Sequence, residues 1–542
     1  MTMKADIVIK SDSLFTALAD EPTKGFVAVK GKQIIAVGNP DNMYRWIGPK
    51  TRFYDVKEKT VLPGFFDSHL HINEGFFSSV SVDLSASKSE ADAAQTLFEN
   101  CKGKGLGKWV TACGWHHMYW ENQEEPSKES LDRFFPNTPV LCMNAEGHGI
   151  WVNSKALEIS GITANTPDPK GGIIKRDKKN EPTGYLLETA AFRTMDRLFT
   201  LGTVIPSLKG IHRLLKNMSS FGITSIADMQ NNAINNNIFK LFETIHQLPV
   251  RIHIFPYLYS ADNQEKQWAY IQKLHRQFQS ETIRACGVKI FCDGTPFCHT
   301  GLMLEPYSDQ PESRGETLHG YDETKQLIIE AAKRGYSVRA HACGDGAVRL
   351  ALDSFEIADK QTGNRNLRHA IEHIEVIDPD DIERFSKLDV IASVQPQHME
   401  IAPGEGNNLF YAIVGAERSK YLWAFQSLSK SGARLALGTD MPVADINPLP
   451  GIFRAITRQT NSGYPPDGWL PDEKLTLPQA LKAYTIGAAY VNSREHDLGS
   501  LEKGKLADII VLDKNIFNIS KEQIKDIKVD YTLMNGKVVF ER

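Results

Sequence analysis

Apolar and polar positions along the chain fall into two textures. Over residues 1 to 60 they alternate in short runs, Asp6 to Lys10, Gly25 to Lys30 and Gln33 to Val37, separated by Gly and Asp. That period of two predicts small β-strands and hairpins. The texture returns near the C-terminus in Ala507 to Leu512 and Tyr531 to Val539, where Asn535-Gly536 predicts a tight hairpin turn. Neither end holds enough residues for its own core, so residues 1–60 and 495–542 are expected to pack together as one small β-sandwich-like domain.

Between them, β-rich apolar runs alternate with helical periodicity. One run ends at Val61-Leu-Pro-Gly-Phe-Phe-Asp67, and others lie near 222–228, 251–257, 286–292, 337–342, 369–374, 390–395 and 434–439. Helical spacing fills several gaps, as in Glu323 to Arg334 and Ala347 to Ala358. Eight such units predict an α/β fold, a (β/α)8 TIM-like barrel over residues 61–494. The first gap breaks the rhythm: roughly 150 residues separate strand one from strand two, far more than one crossover helix needs. Residues 75–205 therefore read as an inserted subdomain with strands of its own at Trp109 to Cys113 and Val140 to Asn144. It leaves the barrel at the C-terminal face, where active sites are built, and is expected to cover the pocket.

Composition narrows the function. The chain has 542 residues, 41% apolar and 24% charged, which excludes wholesale disorder. A net charge of −4 gives no basic excess for nucleic acid or an anionic membrane, so a small-molecule substrate is expected. The seven cysteines are scattered, with no C-x-x-C pair, which argues for a reducing compartment and against a disulfide framework. The N-terminus lacks an apolar leader core and no 18-residue apolar run occurs, so a cytoplasmic location is the expectation. The oligomeric state, including a homo-oligomer, stays open.

Placement of the histidines carries the chemistry. Strand one ends in His69-Leu70-His71, and side chains at i and i+2 of a strand point the same way, so both imidazoles can reach one metal ion. Alone, such a pair is more often a surface or core coincidence. His341, His373 and Asp440, however, each follow another predicted barrel strand, and five metal-capable side chains at the same strand ends converge on the barrel axis. Imidazole with carboxylate suits Zn²⁺ or a similar divalent ion, as one ion or two. Lys289 interrupts the apolar run Gly287 to Cys292. It reads either as a strand-end lysine reaching solvent or Asp293, or as an amine whose pKa burial lowers enough to take up CO₂ as a metal-bridging carbamate.

These residues lie in motifs that resemble the amidohydrolase superfamily, specifically its amidohydrolase-3, YtcJ-like branch. The motifs are Leu62-Pro-Gly-Phe-Phe-Asp-Ser-His-Leu-His71, Gly147-His-Gly-Ile-Trp-Val-Asn-Ser-Lys-Ala-Leu157, Gly171-Gly-Ile-Ile-Lys-Arg-Asp177 with Pro182-Thr-Gly184, Val288-Lys-Ile-Phe-Cys-Asp-Gly294, His341-Ala-Cys-Gly-Asp345, Ile371-Glu-His373, Gly438-Thr-Asp-Met-Pro442 and Gly499-Ser-Leu-Glu-Lys-Gly-Lys-Leu-Ala-Asp508. The resemblance implies that His69, His71, His341, His373 and Asp440 are metal ligands and that Lys289 is the carboxylated bridging lysine of the binuclear subtype. Two positions depart from the pattern: Glu146 stands where relatives commonly carry Asp before Gly-His, and Gly346 where they carry Arg.

Hydrolysis of an amide-type C–N bond of a small molecule, other than protein backbone, is the expected activity. A divalent ion lowers the pKa of water from about 15.7 toward about 7, and Asp440 serves as base and then acid toward the leaving nitrogen. His148, Trp115 and His398 are candidate substrate contacts. His116 and His117 belong to the same candidate edge, while Trp151 fits a pocket wall or, more simply, core packing. Ester, lactone or carbamate hydrolysis would use the same site. A deaminase is disfavoured because the position three residues after His341 is Gly344 where such enzymes carry Glu. A non-catalytic barrel scaffold predicts missing ligands, and none is missing.

Overall fold

A computed structural model of the chain describes residues 3–195, 204–229, 233–258, 264–363, 366–399 and 410–542. The segment 75–205 therefore includes eight positions, 196–203, outside the described residues.

The Asn535-Gly536 pair makes the expected turn. Both residues have positive φ, 54° and 67°, a region Gly and Asn tolerate, and Met534 pairs with Lys537 across it. Strands from both termini then join one sheet in the order Lys537–Glu541, Val529–Met534, Ile509–Leu512, Thr60–Pro63, Ile7–Leu14, Thr23–Lys30 and Gln33–Gly38. Arg52–Asp55 adds to it alongside Ile7–Lys10.

The chain crosses directly from Thr60–Pro63 into the first of eight barrel strands: β1 (Phe65–Leu70), β2 (Ile223–Met229), β3 (Arg251–Phe255), β4 (Gly287–Phe291), β5 (Ser337–Ala342), β6 (Ala370–His373), β7 (Ile391–Val394) and β8 (Leu435–Leu437). Every residue of β1 to β4 is buried, as parallel strands covered by helices require. The strands form two parallel arcs. One runs β1, β2, β3 and the short segment Ile283–Ala285; the other runs β4 to β8. At one seam Lys289 donates to Pro256 O and its own carbonyl accepts from Leu258 N, at 3.0 and 2.9 Å. At the other, Asp440 N donates to His69 O at 2.7 Å and His71 N to Met441 O at 2.9 Å. The molecule is thus an α/β barrel fold. The expected helices are present as Tyr321–Lys333 and Asp345–Thr362.

Between β1 and β2 the chain builds a second sheet of six strands, ordered Gly172–Arg176, Pro182–Glu188, Gly149–Val152, Val140–Asn144, Val110–Trp115 and Val82–Asp83. Trp115, Trp120, Trp151 and Tyr185 fill its core, with ring centroids 5.5 to 6.2 Å apart. All seven cysteines are free. No helix among the described residues is long and apolar enough to cross a membrane.

Candidate metal centre

The site is assembled at the C-terminal ends of β1, β5, β6 and β8, with Lys289 contributed from the middle of β4. His69, the fifth residue of β1, is fully buried, and its Nδ1 lies 2.7 Å from Glu372 Oε2. The carboxylate accepts the Nδ1 proton, which leaves Nε2 as the free lone pair. That Nε2 lies 3.5 Å from Asp440 Oδ1 and 3.3 Å from Lys289 Nζ. His71, two residues on, turns its Nε2 to within 3.1 Å of the same Asp440 oxygen. The shared direction expected of an i, i+2 pair is realised.

His373 closes the group from β6, with Nδ1 3.8 Å from Asp440 Oδ2, and its ring packs 4.5 Å from that of His341 and 4.9 Å from that of His69. His341 is held from behind: its Nδ1 lies 3.2 Å from Asp293 Oδ1, and Asp293 also accepts from the amides of Leu302, Cys343 and Gly344. Two of these residues sit on strained backbone. His373 and Asp440 have φ of 74° and 57°, a region costly for residues with a Cβ and one that concentrates at functional sites.

Electrostatics favours ligation over protonation at His69, His341 and His373, whereas at His71 burial lowers the pKa but the hydrogen bond and charge of Asp440 outweigh it and raise it. Burial lowers the His69 pKa to about 4, with Lys289 adding to the effect. Burial likewise pushes His341 and His373 well below the usual imidazole range. Burial opposes ionisation of Asp440, yet His69, His71 and His398 outweigh it and hold the carboxyl below its ordinary value. Lys289 is fully buried under the Phe291 ring, and burial brings its pKa down to about 8. Asp293 points away from it, into the amides above, so the pairing of Lys289 with Asp293 is not formed.

Ligand atoms of His69, His373 and Asp440 all lie within 4.8 Å of one another. Asp440 Oδ1 is buried without a hydrogen bond although two ring nitrogens stand within 3.5 Å of it. Ring nitrogens and a carboxylate oxygen gathered at this range are a donor set that fits a divalent cation between them. The nitrogen and oxygen donor set suits Zn²⁺ chemistry.

The cluster forms the floor of a cavity of about 320 Å³ whose walls include Met143, Phe192 and Phe291, together with Glu74, Asp83 and Glu146. His148 lines it, 5.0 Å ring to ring from His341. His398 lines an adjoining pocket, with Nε2 3.6 Å from Asp440 Oδ2 and its ring stacked on His373. Trp115 does not reach the pocket. It is fully buried in the core of the inserted sheet, and its Nε1 donates to Cys142 O at 2.9 Å. As the last residue of its strand it faces inward with Trp151, which also belongs to that core. His116 and His117 stack on each other, and His116 lies 3.6 Å from the pocket residue Glu146.

The roles of three carboxylates escaped the sequence reading, although Glu372 and Asp293 lie inside its motifs: Glu372 stands behind His69, Asp293 behind His341, and Glu188 Oε2 lies 2.8 Å from His148 Nδ1. Glu372 and Asp293 each follow or precede a motif residue, but nothing in spacing shows which ring each one meets.

Imidazoles gathered around one carboxylate at the mouth of a β/α barrel define a metal-dependent hydrolase. A profile of the amidohydrolase family matches residues 52–540, and the chain belongs to that family. It is 31% identical to the protein LONG AFTER FAR-RED 3 of Arabidopsis thaliana, over 99% of this chain and 92% of that protein. It is 26% identical to an N-substituted formamide deformylase of Arthrobacter pascens, over 100% of this chain and 99% of that one. Among solved structures it is similar to an uncharacterized metal-dependent hydrolase of Pyrococcus horikoshii OT3, at 25% identity and a TM-score of 0.73, covering 95% of this chain and 99% of that one.

Proposed function

We propose that this chain hydrolyses an amide-type C–N bond in a small molecule, with a divalent ion, Zn²⁺ by donor chemistry, held by His69, His71, His341, His373 and Asp440. The observation that carries the reading is the convergence of His69 Nε2 and His71 Nε2 on one buried oxygen of Asp440, at 3.5 and 3.1 Å. When bound, such an ion activates water at neutral pH and polarises the carbonyl under attack.

The remaining chemistry belongs to the chain. Asp440 takes the proton of the attacking water and delivers it to the leaving nitrogen, since its second oxygen faces His373 and His398 beside the cavity. Lys289, with a pKa brought down to about 8, keeps roughly a tenth of its amine neutral at pH 7. That fraction could take up CO₂ as a carbamate with release of a proton, and Lys289 so modified would add a carboxylate-like donor to the histidines and Asp440. His148 and His398 are the imidazoles placed to hydrogen-bond the substrate. Apolar Phe192, Phe291 and Met143 accommodate the substituent.

Deamination is less well served. The position three residues after His341 is Gly344, and the next carboxylate, Asp345, accepts from the amides of Leu304 and Gly346 at 2.8 and 2.9 Å. The test is a hydrolysis screen of N-formyl amines, N-acyl amino acids, cyclic amides and aryl esters, with metal-depleted protein as control. N-formyl amines enter first because a full-length relative is a formamide deformylase. Turnover of an amide that disappears on metal removal and returns with Zn²⁺ is expected. Amide turnover that survives metal removal overturns the proposal.

A further inference from the structure

Resting on the hydrolase reading, we propose that Glu188 is a positioning residue: it fixes the His148 imidazole by its Nδ1 edge so that the Nε2 edge meets the substrate.

The pair follows from strand register. Gly149 lies opposite Leu187 in the antiparallel pairing of Gly149–Val152 with Pro182–Glu188, so the next positions outward, His148 and Glu188, face each other at the sheet's end. Their backbones are joined as well, Glu188 N donating to His148 O at 2.8 Å. Glu188 then leaves ordinary strand conformation, with φ of 52°, costly for a residue with a side chain. The distortion accompanies a specific contact: Oε2 lies 2.8 Å from His148 Nδ1 and Oε1 accepts from the Thr300 hydroxyl at 2.8 Å. Thr300 is itself fixed, its Oγ1 accepting from Thr295 N at 3.0 Å.

The barrel makes room for this carboxylate. Gly294, at the end of the segment that carries Lys289, packs against it so closely that a Cβ there would fall on both Glu188 Oε1 and Thr300 Oγ1. A residue of the inserted sheet is thus clamped by the loop after β4, and through it His148 is aligned against His341 and Phe291, 5.0 and 5.8 Å away ring to ring. With Nδ1 on Glu188, Nε2 is the ring nitrogen left for a molecule in the cavity that His148 lines. Partners that orient a metal-ligating imidazole are worth about 10- to 100-fold in affinity or activity, and a loss of that order is expected for a ring oriented toward substrate in the same way.

The experiment is a double-mutant cycle of Glu188→Ala and His148→Ala, with Thr300→Val alongside, each checked for fold and Zn²⁺ content. The substrate is the amide turned over fastest in the screen above. We expect Glu188→Ala to lower kcat about 10- to 100-fold with little change in KM. In a His148→Ala background the same change should cost nothing further, because Glu188 acts only through that ring. Thr300→Val should give a smaller loss of the same kind. Wild-type kcat in Glu188→Ala, or losses that simply multiply in the double variant, overturns the assignment. If no amide is hydrolysed the hydrolase reading fails separately, and crystal structures of Glu188→Ala and Thr300→Val still decide the positioning role. A His148 ring that stays in place in both overturns it; a ring turned away from the cavity upholds it. Should Glu188→Ala not fold, Thr300→Val carries both readouts.

Discussion

Substituting Glu372 by Gln isolates what the carboxylate behind His69 does. The residue is fully buried and accepts from His69 Nδ1 at 2.7 Å and from Arg339 Nε. Glutamine preserves the volume but has one acceptor oxygen for two donors and no charge to set against Arg339. Breaking a buried ion pair costs about 3–5 kcal/mol. Arg339 retains its bonds to Ser68 O at 2.7 Å and Ser393 Oγ at 3.2 Å, which places the loss near the lower end, about 3 kcal/mol. Zn²⁺ affinity should fall about 10- to 100-fold, because His69 loses the anion that fixes its tautomer. The pH dependence has a definite sign. Burial raises the Glu372 pKa, but Arg339 and His69 outweigh it and leave the folded value below the unfolded one. Its stabilisation is therefore complete above about pH 4.3 and is lost as pH falls below that, so the variant should show a flatter acid limb. Urea unfolding of metal-depleted protein by tryptophan fluorescence, repeated from neutral to acid pH, and Zn²⁺ competition against a chelator measure both effects. A variant that unfolds at the wild-type urea concentration and binds Zn²⁺ with wild-type affinity refutes the account.

Lys289→Met should stabilise the metal-free protein at pH 7 by roughly 3 kcal/mol, since lowering the lysine pKa from 10.5 to about 8 is a cost that is full below pH 8 and vanishes as pH rises past 10.5. The same variant should lose metal and activity, read by elemental analysis and by the carbamate signal under carbon-13-labelled bicarbonate; full metal content and activity would contradict the bridging role. Trp115→Ala should cost about 3–5 kcal/mol in urea unfolding while kcat/KM of the folded protein holds, as expected of a core residue away from the substrate. A selective KM effect would return Trp115 to the pocket. Gly438→Ala should destabilise by about 1–3 kcal/mol and weaken Zn²⁺ binding, because the added Cβ would stand 2.7 Å from His69 N and 2.9 Å from its Cβ. Unchanged Zn²⁺ affinity in titration would show that β1 and β8 yield without moving the ligands.

The ligand cluster was legible because strand ends are marked in sequence: an apolar run stops, and a His or Asp follows. That logic points to His69, His71, His341, His373 and Asp440 at one barrel mouth, and the same runs mark the barrel strands. The supporting carboxylates were not legible, because they act across long sequence distances. Glu372 meets His69 from 303 residues away, and Asp293 meets His341 from 48. Glu188 is hidden differently, since its role depends on strand register and on a backbone turn to φ of 52°, neither of which a period of two reveals. Trp115 misled through proximity: it precedes two histidines, but strand alternation puts its indole on the opposite side, in the sheet's core.

The hydrogen bonds at the β1–β8 seam also set an order of events during biosynthesis. Asp67 binds the Thr439 amide and hydroxyl across 372 residues of chain, at 3.0 and 2.6 Å. At about 5–20 residues per second, roughly 20 to 70 seconds of translation separate the first histidine pair from the aspartate it needs. The strand leading into β1 waits longer still, because Thr60–Pro63 pairs with Ile509–Leu512 near the far end of the sequence. A nascent chain can therefore pair β1 with β2 early, but the β8 edge of the strand that carries His69 and His71 stays open until residues 435–440 are made. Assembly of the candidate metal site becomes a late step, and a product terminated before Asp440 is left without the β1–β8 seam.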